Sequence, residues 1–411
     1  MSRSYTRVTV TEKGANFLRG GHVWVYADEI TDMSAAPTDA ELVDVYSQKD
    51  RYLGTGFYNS HSKIRVRIVS KNANDRFDDA FWERKVRWAL EYRRSVMGEK
   101  DFACCRLIFG EADAFPGLTV DRFGTVLVTQ VLSLGIESVK ETIYTHLIRI
   151  LREDFGEQIN VLYERNDIGI RELEGMKQYT AFWDAPDHSL LTDTNGLTEI
   201  EENGIRYEVD YINGQKTGFF LDQKYNRLAI HKLARGRRVL DCFTHTGSFA
   251  LNAAIAGAAH VTAVDISNDA ISLAKANAER NGLIGNMDFI CTDVFALLTK
   301  MAEKGKCDYD FIILDPPAFT KSRDTLQNAM RGYKEINLKA MRLLRRGGYL
   351  ATCSCSHFMT EPHFRRMLHE AASDAGVGLR QIEARQQAPD HPILWNVPET
   401  DYLKFVIFQI V

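Results

Sequence analysis

From about residue 186 to the end of the chain, short apolar runs alternate with alanine-rich stretches of helical length. The runs are Arg238 to Asp241, His260 to Asp265, Met287 to Cys291, Phe311 to Leu314 and Tyr349 to Thr352. The stretches between them lie near 248–256, 268–281 and 326–345. Few folds accept strand, helix and strand in strict alternation. The pattern predicts an α/β domain built on a doubly wound, Rossmann-like parallel sheet. In such a sheet the carboxyl ends of the strands share one crevice, where ligands bind. The residues just past those ends are where chemistry is expected.

Three of those ends carry an acid. Asp241 closes the first run, Asp265 the second, and Asp293 follows the third. Val239 to Phe249 reads as strand, loop and helix start, which turns backbone amides toward a ligand. The loop has one glycine, Gly247, and so does not match G-x-G-x-x-G, the pattern that lets a backbone approach a pyrophosphate. A methionine-type zwitterion tolerates an acid such as Asp241 near its amino group. The departure therefore favours S-adenosylmethionine (SAM) over NAD. Asp265 stands where an acid hydrogen-bonds ribose hydroxyls, and Asp293 is placed to meet an adenine amino group. Upstream, Asn213 to Gln223 holds two glycines, Lys216, Thr217, Phe219, Phe220 and Asp222, an unusual density of polar groups and rings for a plain turn.

The fourth and fifth runs end in Asp315-Pro316-Pro317-Ala318-Phe319 and in Ser354-Cys355-Ser356. The Asp315 carboxylate can bond a base edge or, protonated, stabilise charge at N3. Pro316 and Pro317 stiffen the backbone and remove two N–H donors. Phe319 offers a ring for a base taken out of its stack. Amine methyltransferases typically place an aromatic directly after the second proline, where this chain has Ala318. A thiol is what methylation at carbon 5 of a pyrimidine requires, because that carbon is a poor nucleophile until a thiolate adds at carbon 6. Cys353 and Cys355 are two residues apart, and spacing alone does not decide which one attacks. The base that removes the carbon-5 proton is open as well, with Asp315 one candidate.

The first 70 residues read differently. Val8, Val10, Val23, Val25, Val43 and Val45 alternate with polar residues and glycines punctuate them, the mark of a small β-barrel-like module. Ile64-Arg65-Val66-Arg67-Ile68 alternates strictly, which predicts Arg65 and Arg67 on the polar face. Residues 75–185 mix a basic amphipathic helix near 78–97, a strand meander and a second helix near 137–154, an α+β pattern. Expected domains are 1–72, 73–186 and 187–411. Phosphate contacts are expected from Arg65 and Arg67, from the basic helix and from Lys321-Ser322-Arg323.

A net charge of −4 gives no global basic signature, so any nucleic-acid grip has to be local. No uncharged apolar run reaches the length of a membrane span. The first residues do not read as a secretory signal. Seven scattered cysteines in a chain of 411 residues argue for reduced thiols in a cytoplasm, and none falls in metal-site spacing.

At this point the chain resembles a known family, the RlmI-type ribosomal RNA large-subunit methyltransferases, which make 5-methylcytidine in 23S rRNA. Phe17 to Tyr26 and Gly54 to Asn59 look like the family's RNA-binding PUA domain, and Gly110 to Arg122 like its central α+β domain. Gly214 to Gln223, Asp241 to Gly247, Asp315 to Phe319, Arg331 to Asn337 and Ser354 to Ser356 are similar to its catalytic-domain motifs. The resemblance makes Cys355 the nucleophile and Cys353 a bystander, with SAM as cofactor, ribosomal RNA as partner and the cytoplasm as location. A homodimer is compatible with it, since some members look dimeric. Candidate cofactor contacts are Lys216, Thr217, Phe220, Asp222, Asp241, Phe243, Thr246, Gly247, Ser248, Asp265, Ile266, Ser267, Asp293, Val294, Asp315 and Pro316. Pro317, Phe319, Arg65 and Arg67 are candidate substrate contacts. Ala318 stands where relatives commonly have lysine, and Thr244-His245 where Ser-Tyr is common. Two other readings compete: methylation of an RNA amino group through Asp315, and a non-enzymatic RNA-binding protein that senses the cofactor.

Overall fold

The computed structural model describes residues 4–305, 307–320, 322 and 324–411. Met1 to Arg3, Lys306, Lys321 and Arg323 lie outside the described residues, and with them two of the three groups of the expected Lys321-Ser322-Arg323 contact. The chain forms two compact units. One comprises residues 1–200, 209–221 and 389–400, the other residues 201–208, 222–388 and 401–411.

The second unit is built on a seven-stranded sheet. Its spatial order is Met287–Cys291, His260–Asp265, Arg238–Cys242, Phe311–Leu314, Tyr349–Ser354, Lys404–Ile410 and Leu379–Arg385. The first five strands are parallel and the last two antiparallel to their neighbours. Helices cover both faces, so the central strands are apolar throughout: Phe311, Ile312, Ile313 and Leu314 are all fully buried. Each such side chain stabilises by about 1.5–3 kcal/mol relative to exposure. The chain runs outward in one direction from Arg238–Cys242 and in the other from Phe311–Leu314. The switch point, and hence the crevice, lies between these two strands. Register sets Cys242 opposite Leu314 and Leu314 opposite Thr352, so Asp241, Asp315 and the Ser354 turn come out at one end of the sheet.

The helices between strands start where short polar side chains cap them. Ser267 accepts the Ala270 amide ahead of Asn268–Arg280, and Asp293 accepts the Ala296 amide ahead of Val294–Glu303. Two elements of this unit escape the apolar alternation: the helix Glu361–Ala375 and the edge strand Leu379–Arg385. That strand exposes Arg380, Gln381, Ile382 and Arg385 and shifts register between Gln381 and Glu383, so it carries no clean period of two.

The first unit holds two sheets. The six-stranded one runs Trp24–Tyr26, Ile64–Ser70, Tyr52–Tyr58, Leu42–Ser47, Thr6–Val10 and Ile30–Met33. Val8, Val10, Val25, Val43, Val45 and Val66 form its core, as the alternation predicts. Gly56 lies so close to the neighbouring strand that a Cβ would sit 2.2 Å from the Arg67 carbonyl oxygen. The five-stranded sheet runs Tyr179–Phe182, Val161–Asn166, Val126–Val131, Leu118–Phe123 and Cys104–Phe109, with helices Asp79–Val96 and Leu134–Arg149.

The basic residues expected to grip RNA make bonds within the protein. Arg67 is not offered to solvent: its guanidinium is held 2.8 Å from Glu174 and 3.4 Å from Glu111. Arg65 donates to the carbonyl oxygens of Asn59, at 3.2 Å, and of Ser60. The basic helix is tied in at several points, although Arg94 is exposed. Arg93 is fully buried and bidentate on Asp113 at 2.5 and 2.7 Å, Arg87 is paired with Asp154 at 2.6 Å, and burial pushes the Lys85 ammonium down to about 8. Buried charges are tolerated only when partnered, and these partners are distant in the chain.

Candidate active site in the second unit

The Arg238–Cys242 strand delivers Asp241 into the crevice with only 1% of its surface exposed. One carboxylate oxygen accepts the Thr244 hydroxyl at 2.6 Å and the Ala250 amide at 2.9 Å. The other, Oδ1, is buried with no hydrogen-bond partner. Burial chiefly, and then the nearby Asp315 and Asp265 charges, push the carboxyl up to about 7. An orphaned, desolvated carboxylate oxygen is the counterpart of a cationic amino group. The donor set therefore fits the methionine end of SAM.

The loop that follows is folded against conformational preference. Phe243 and His245 adopt left-handed φ values of 65° and 48°, at a cost of order 1–3 kcal/mol each. The Thr244 amide is anchored on the Val264 carbonyl at 2.9 Å and the Gly247 amide on the Thr244 carbonyl at 2.8 Å. Gly247 has φ 80°, and a Cβ there would lie 3.0 Å from that of Ala274. It sits at the start of the Ser248–Ile255 helix. Thr246 and Ser248 flank it, both buried. Asp265 accepts the amides of His245 and Ser267, each at 3.0 Å, which ties the first loop to the second. Beside it Ile266 is 69% exposed, an apolar side chain left open where a flat ring can lie. Asp293 is exposed and caps its helix, while Val294 points into the core.

Asp222 belongs to this unit and accepts the Tyr402 hydroxyl at 2.7 Å. Lys216, Thr217 and Phe220 belong to the first unit. There Thr217 donates to Asp121 at 2.6 Å, and the Lys216 ammonium lies 4.8 Å over the Phe220 ring.

At the switch point, Asp315 accepts the Gln223 amide at 3.0 Å. The protein packed round it pushes its carboxyl up to about 6. Asp222 adds to that shift, whereas Arg227 and the hydrogen bonds from Cys353 and Gln223 oppose it. Pro316 is buried and Pro317 exposed. Phe319 is lodged in an aromatic cluster, 4.5 Å from the Tyr333 ring, 5.8 Å from Phe295 and 6.5 Å from Phe243. It forms wall rather than a free stacking plate.

The two thiols separate cleanly. Cys353 still lies in the strand, is fully buried and is bonded to Asp315; burial and then the Asp315 charge push its thiol well up. Cys355 lies past the strand end, partly exposed, with Sγ 4.0 Å from the Pro316 carbonyl oxygen. Its serine neighbours are buried, and Ser356 donates to the Thr320 carbonyl at 3.0 Å.

Three participants are not among the expected contacts. Gln223 bonds Asp315, and Tyr333 backs Phe319. Lys404, on the antiparallel strand, is buried, with Nζ 2.8 Å from the Ser356 carbonyl oxygen and 2.7 Å from that of Tyr402. Gln223 and Tyr333 stand inside the Gly214 to Gln223 and Arg331 to Asn337 motifs, whereas Lys404 stands in none. Among the described residues no group of His, Cys, Asp and Glu could hold a metal ion, and no helix is long and apolar enough to cross a membrane.

Comparison with known proteins agrees with this geometry. A family profile for S-adenosylmethionine-dependent methyltransferases matches residues 182–409, and one for a PUA-like domain matches residues 8–71. The chain is similar to "Ribosomal RNA large subunit methyltransferase I" of Aeromonas salmonicida, 39% identical, with 94% of this chain and 95% of the relative covered. The protein of the same name from Klebsiella pneumoniae strain 342 is 35% identical over 97% of both chains. Among solved structures, a Streptococcus mutans protein described as a candidate SAM-dependent methyltransferase superposes with a TM-score of 0.80 at 22% identity, covering 98% of this chain and 99% of that one. An orphan acid at the first strand end, a one-glycine loop and near-full-length kinship converge: the chain belongs to the ribosomal RNA large subunit methyltransferase I family, with a PUA-like domain, a Rossmann-like methyltransferase domain and S-adenosylmethionine as its cofactor.

Proposed function

We propose that this protein methylates carbon 5 of a cytidine in large-subunit ribosomal RNA, with Cys355 as covalent nucleophile. The observation that carries the reading is the contrast between the two thiols: Cys355 is accessible beside the Pro316 carbonyl, while Cys353 is sealed and bonded to Asp315. The relatives' name supplies the RNA class. On this reading the protein works in the cytoplasm, as three domains at 1–72, 73–186 and 187–411, the first of them gripping RNA.

Asp241, Asp265, Ile266 and the Phe243 to Ser248 loop are the groups that would hold the cofactor in this unit, with Asp222, Ser267, Asp293, Val294 and Pro316 around them. Lys216, Thr217 and Phe220 are further proposed cofactor contacts. The bound cofactor supplies an electrophilic methyl group. The Cys355 thiolate adds to carbon 6 of the cytosine, and the electron pair of the 5,6 double bond moves toward carbon 5 and N3. Asp315, sharing a proton near neutrality, donates to N3 and stabilises that charge. Carbon 5 takes the methyl, N3 returns its proton to Asp315, and the carbon-5 proton passes to solvent as the 5,6 double bond re-forms and expels the sulfur from carbon 6 as thiolate. Pro317 and Phe319 line the entry for the extruded base.

The test is transfer of a labelled methyl to unmethylated ribosomal RNA, followed by mapping of the product. Cys355→Ala is expected to lower transfer by at least about a thousandfold, the scale on which a covalent nucleophile matters. Transfer at the wild-type rate by that variant would move the reading to amino-group methylation through Asp315. Absence of transfer to any RNA by the wild type would leave a cofactor-sensing RNA-binding protein.

A further inference from the structure

We propose that Lys404 is the positioning residue that keeps the Cys355 sulfur in its thiolate form, an inference that rests on Cys355 being the attacking group.

The geometry follows from register. The Lys404–Ile410 strand runs antiparallel to Tyr349–Ser354, with Lys404 opposite Ser354, the residue before the thiol. Its side chain reaches forward to the carbonyl oxygen of Ser356, the residue after the thiol, at 2.8 Å. Residue 404 thus meets the chain on both sides of Cys355, by its backbone at Ser354 and by its ammonium at Ser356. A second carbonyl, that of Tyr402 at 2.7 Å, fixes it there. Two backbone carbonyls carry no formal charge, and the side chain is only 7% exposed. A lysine buried this deeply without a bonded carboxylate is uncommon. The charged groups that face it are Asp401 on its own segment, Glu361 at the head of the Glu361–Ala375 helix, and Cys355 itself. Among the described residues, Tyr333, Cys353, Asp315 and His357 are further titratable groups around the thiol and its strand. Tyr333 and Cys353 are both held neutral, each pushed up by burial. Among the described residues, Lys404 is the cation hydrogen-bonded to the turn that carries Cys355.

A free thiol ionises near about 8.5, so at neutral pH only a few per cent of Cys355 would be nucleophilic without help. Burial pushes the Lys404 ammonium down to about 8, and Asp401 and Cys355 oppose that shift. The amine therefore remains mostly protonated at pH 7. An adjacent cation favours the ionised sulfur; the thiol proton leaves to water and Lys404 keeps its own. The sign is definite: the stabilised thiolate needs the ammonium, so the benefit fades as pH rises through the lysine's pKa, where the thiol ionises unaided.

The experiment titrates Cys355 with iodoacetamide across pH 5.5–10 and reads alkylation of its peptide by mass spectrometry, in the full-length protein without RNA. Wild type is expected to show a midpoint below about 8.5. Lys404→Met should raise that midpoint by about one unit, a tenfold loss of reactivity at pH 7, and methyl transfer should fall in step but recover toward pH 9. Lys404→Arg should keep the wild-type midpoint. A wild-type midpoint at or above 8.5, or an unchanged midpoint in Lys404→Met, overturns the inference. The first of these is read without any variant having to fold. Survival of activity in Cys355→Ala would instead defeat the covalent mechanism while leaving the alkylation titration interpretable.

Discussion

The first unit and the crevice of the second treat buried charge in opposite ways. In the first, Arg93 is bidentate on Asp113, Arg106 on Asp121 at 2.7 and 2.8 Å, and Arg171 meets Glu137 at 3.0 Å. In the crevice of the second, Asp241 keeps an orphan oxygen, burial and the Asp222 charge push the Asp315 carboxyl up, and Lys404 is bonded to carbonyls alone. Paired charges specify a structure; buried charges left without an opposite partner hold a place for something else. Basic residues of the first unit suggest, by sequence, a grip on RNA and turn out to be internal ties. Of the crevice acids, read by sequence as cofactor contacts, Asp241 and Asp315 are crowded and desolvated, while Asp293 is exposed and caps a helix.

Cutting a pair in the first unit is the largest expected effect. Arg93→Ala strands Asp113 together with the Arg106 and Asp390 carbonyls. Removing one partner of a buried pair costs about 3–5 kcal/mol. Urea unfolding should show that loss, while the folded fraction keeps its cofactor affinity. A stability within about 0.5 kcal/mol of wild type would break the comparison on its structural side.

Asp241→Asn should do the reverse. The carboxyl is raised in the folded state, to about 7 from an ordinary value near 4. Between those values the native state holds a proton that the unfolded chain releases, so wild-type stability falls as pH rises through that window. The asparagine has no such dependence. The variant should therefore melt a few degrees above wild type at pH 8, with the gap closing below pH 4. Cofactor affinity, read by calorimetry, should drop at least about tenfold, one lost charge-assisted contact. A variant less stable at pH 8 than wild type would mean that the acid is structural.

What is legible in the chain follows from the same physics. Strands buried on both faces are continuous apolar runs, so the parallel sheet and the acids at its strand ends stand out. The antiparallel return does not. Leu403 to Val411 reads as an apolar closing strand, but nothing in it says that Lys404 will face Ser354, because register belongs to the partner strand. The edge strand Leu379–Arg385 is half solvated and has no period. The first unit's arginines mislead because burial depends on partners such as Asp390, nearly three hundred residues from Arg93. Phe319 reads as a free plate, and only the packing of Phe243, Phe295 and Tyr333 around it shows a wall.

A third kind of charge gives the smallest effect. At the opposite end of the second unit's sheet, where the strands begin, a cleft of about 460 Å³ is lined by Arg235, Arg237, Arg345, Arg346 and one acid, Asp310. Arg237 is stacked 4.6 Å over the Tyr349 ring and donates to the Leu233 carbonyl at 2.7 Å. Arg235, Arg345 and Arg346 are exposed and have no acidic partner among the described residues. Being solvated, they cost little to leave unpaired, so Arg345→Gln with Arg346→Gln should leave stability within about 0.5 kcal/mol of wild type. If this face meets the RNA backbone, each lost phosphate contact lowers the slope of log affinity against log salt by about one, and filter binding at low salt should weaken severalfold with the maximal rate unchanged. An unaltered salt slope would confine RNA contact to other surfaces. A loss of stability would place these arginines with the paired charges of the first unit, and erase the distinction between a charge held for structure and one held open.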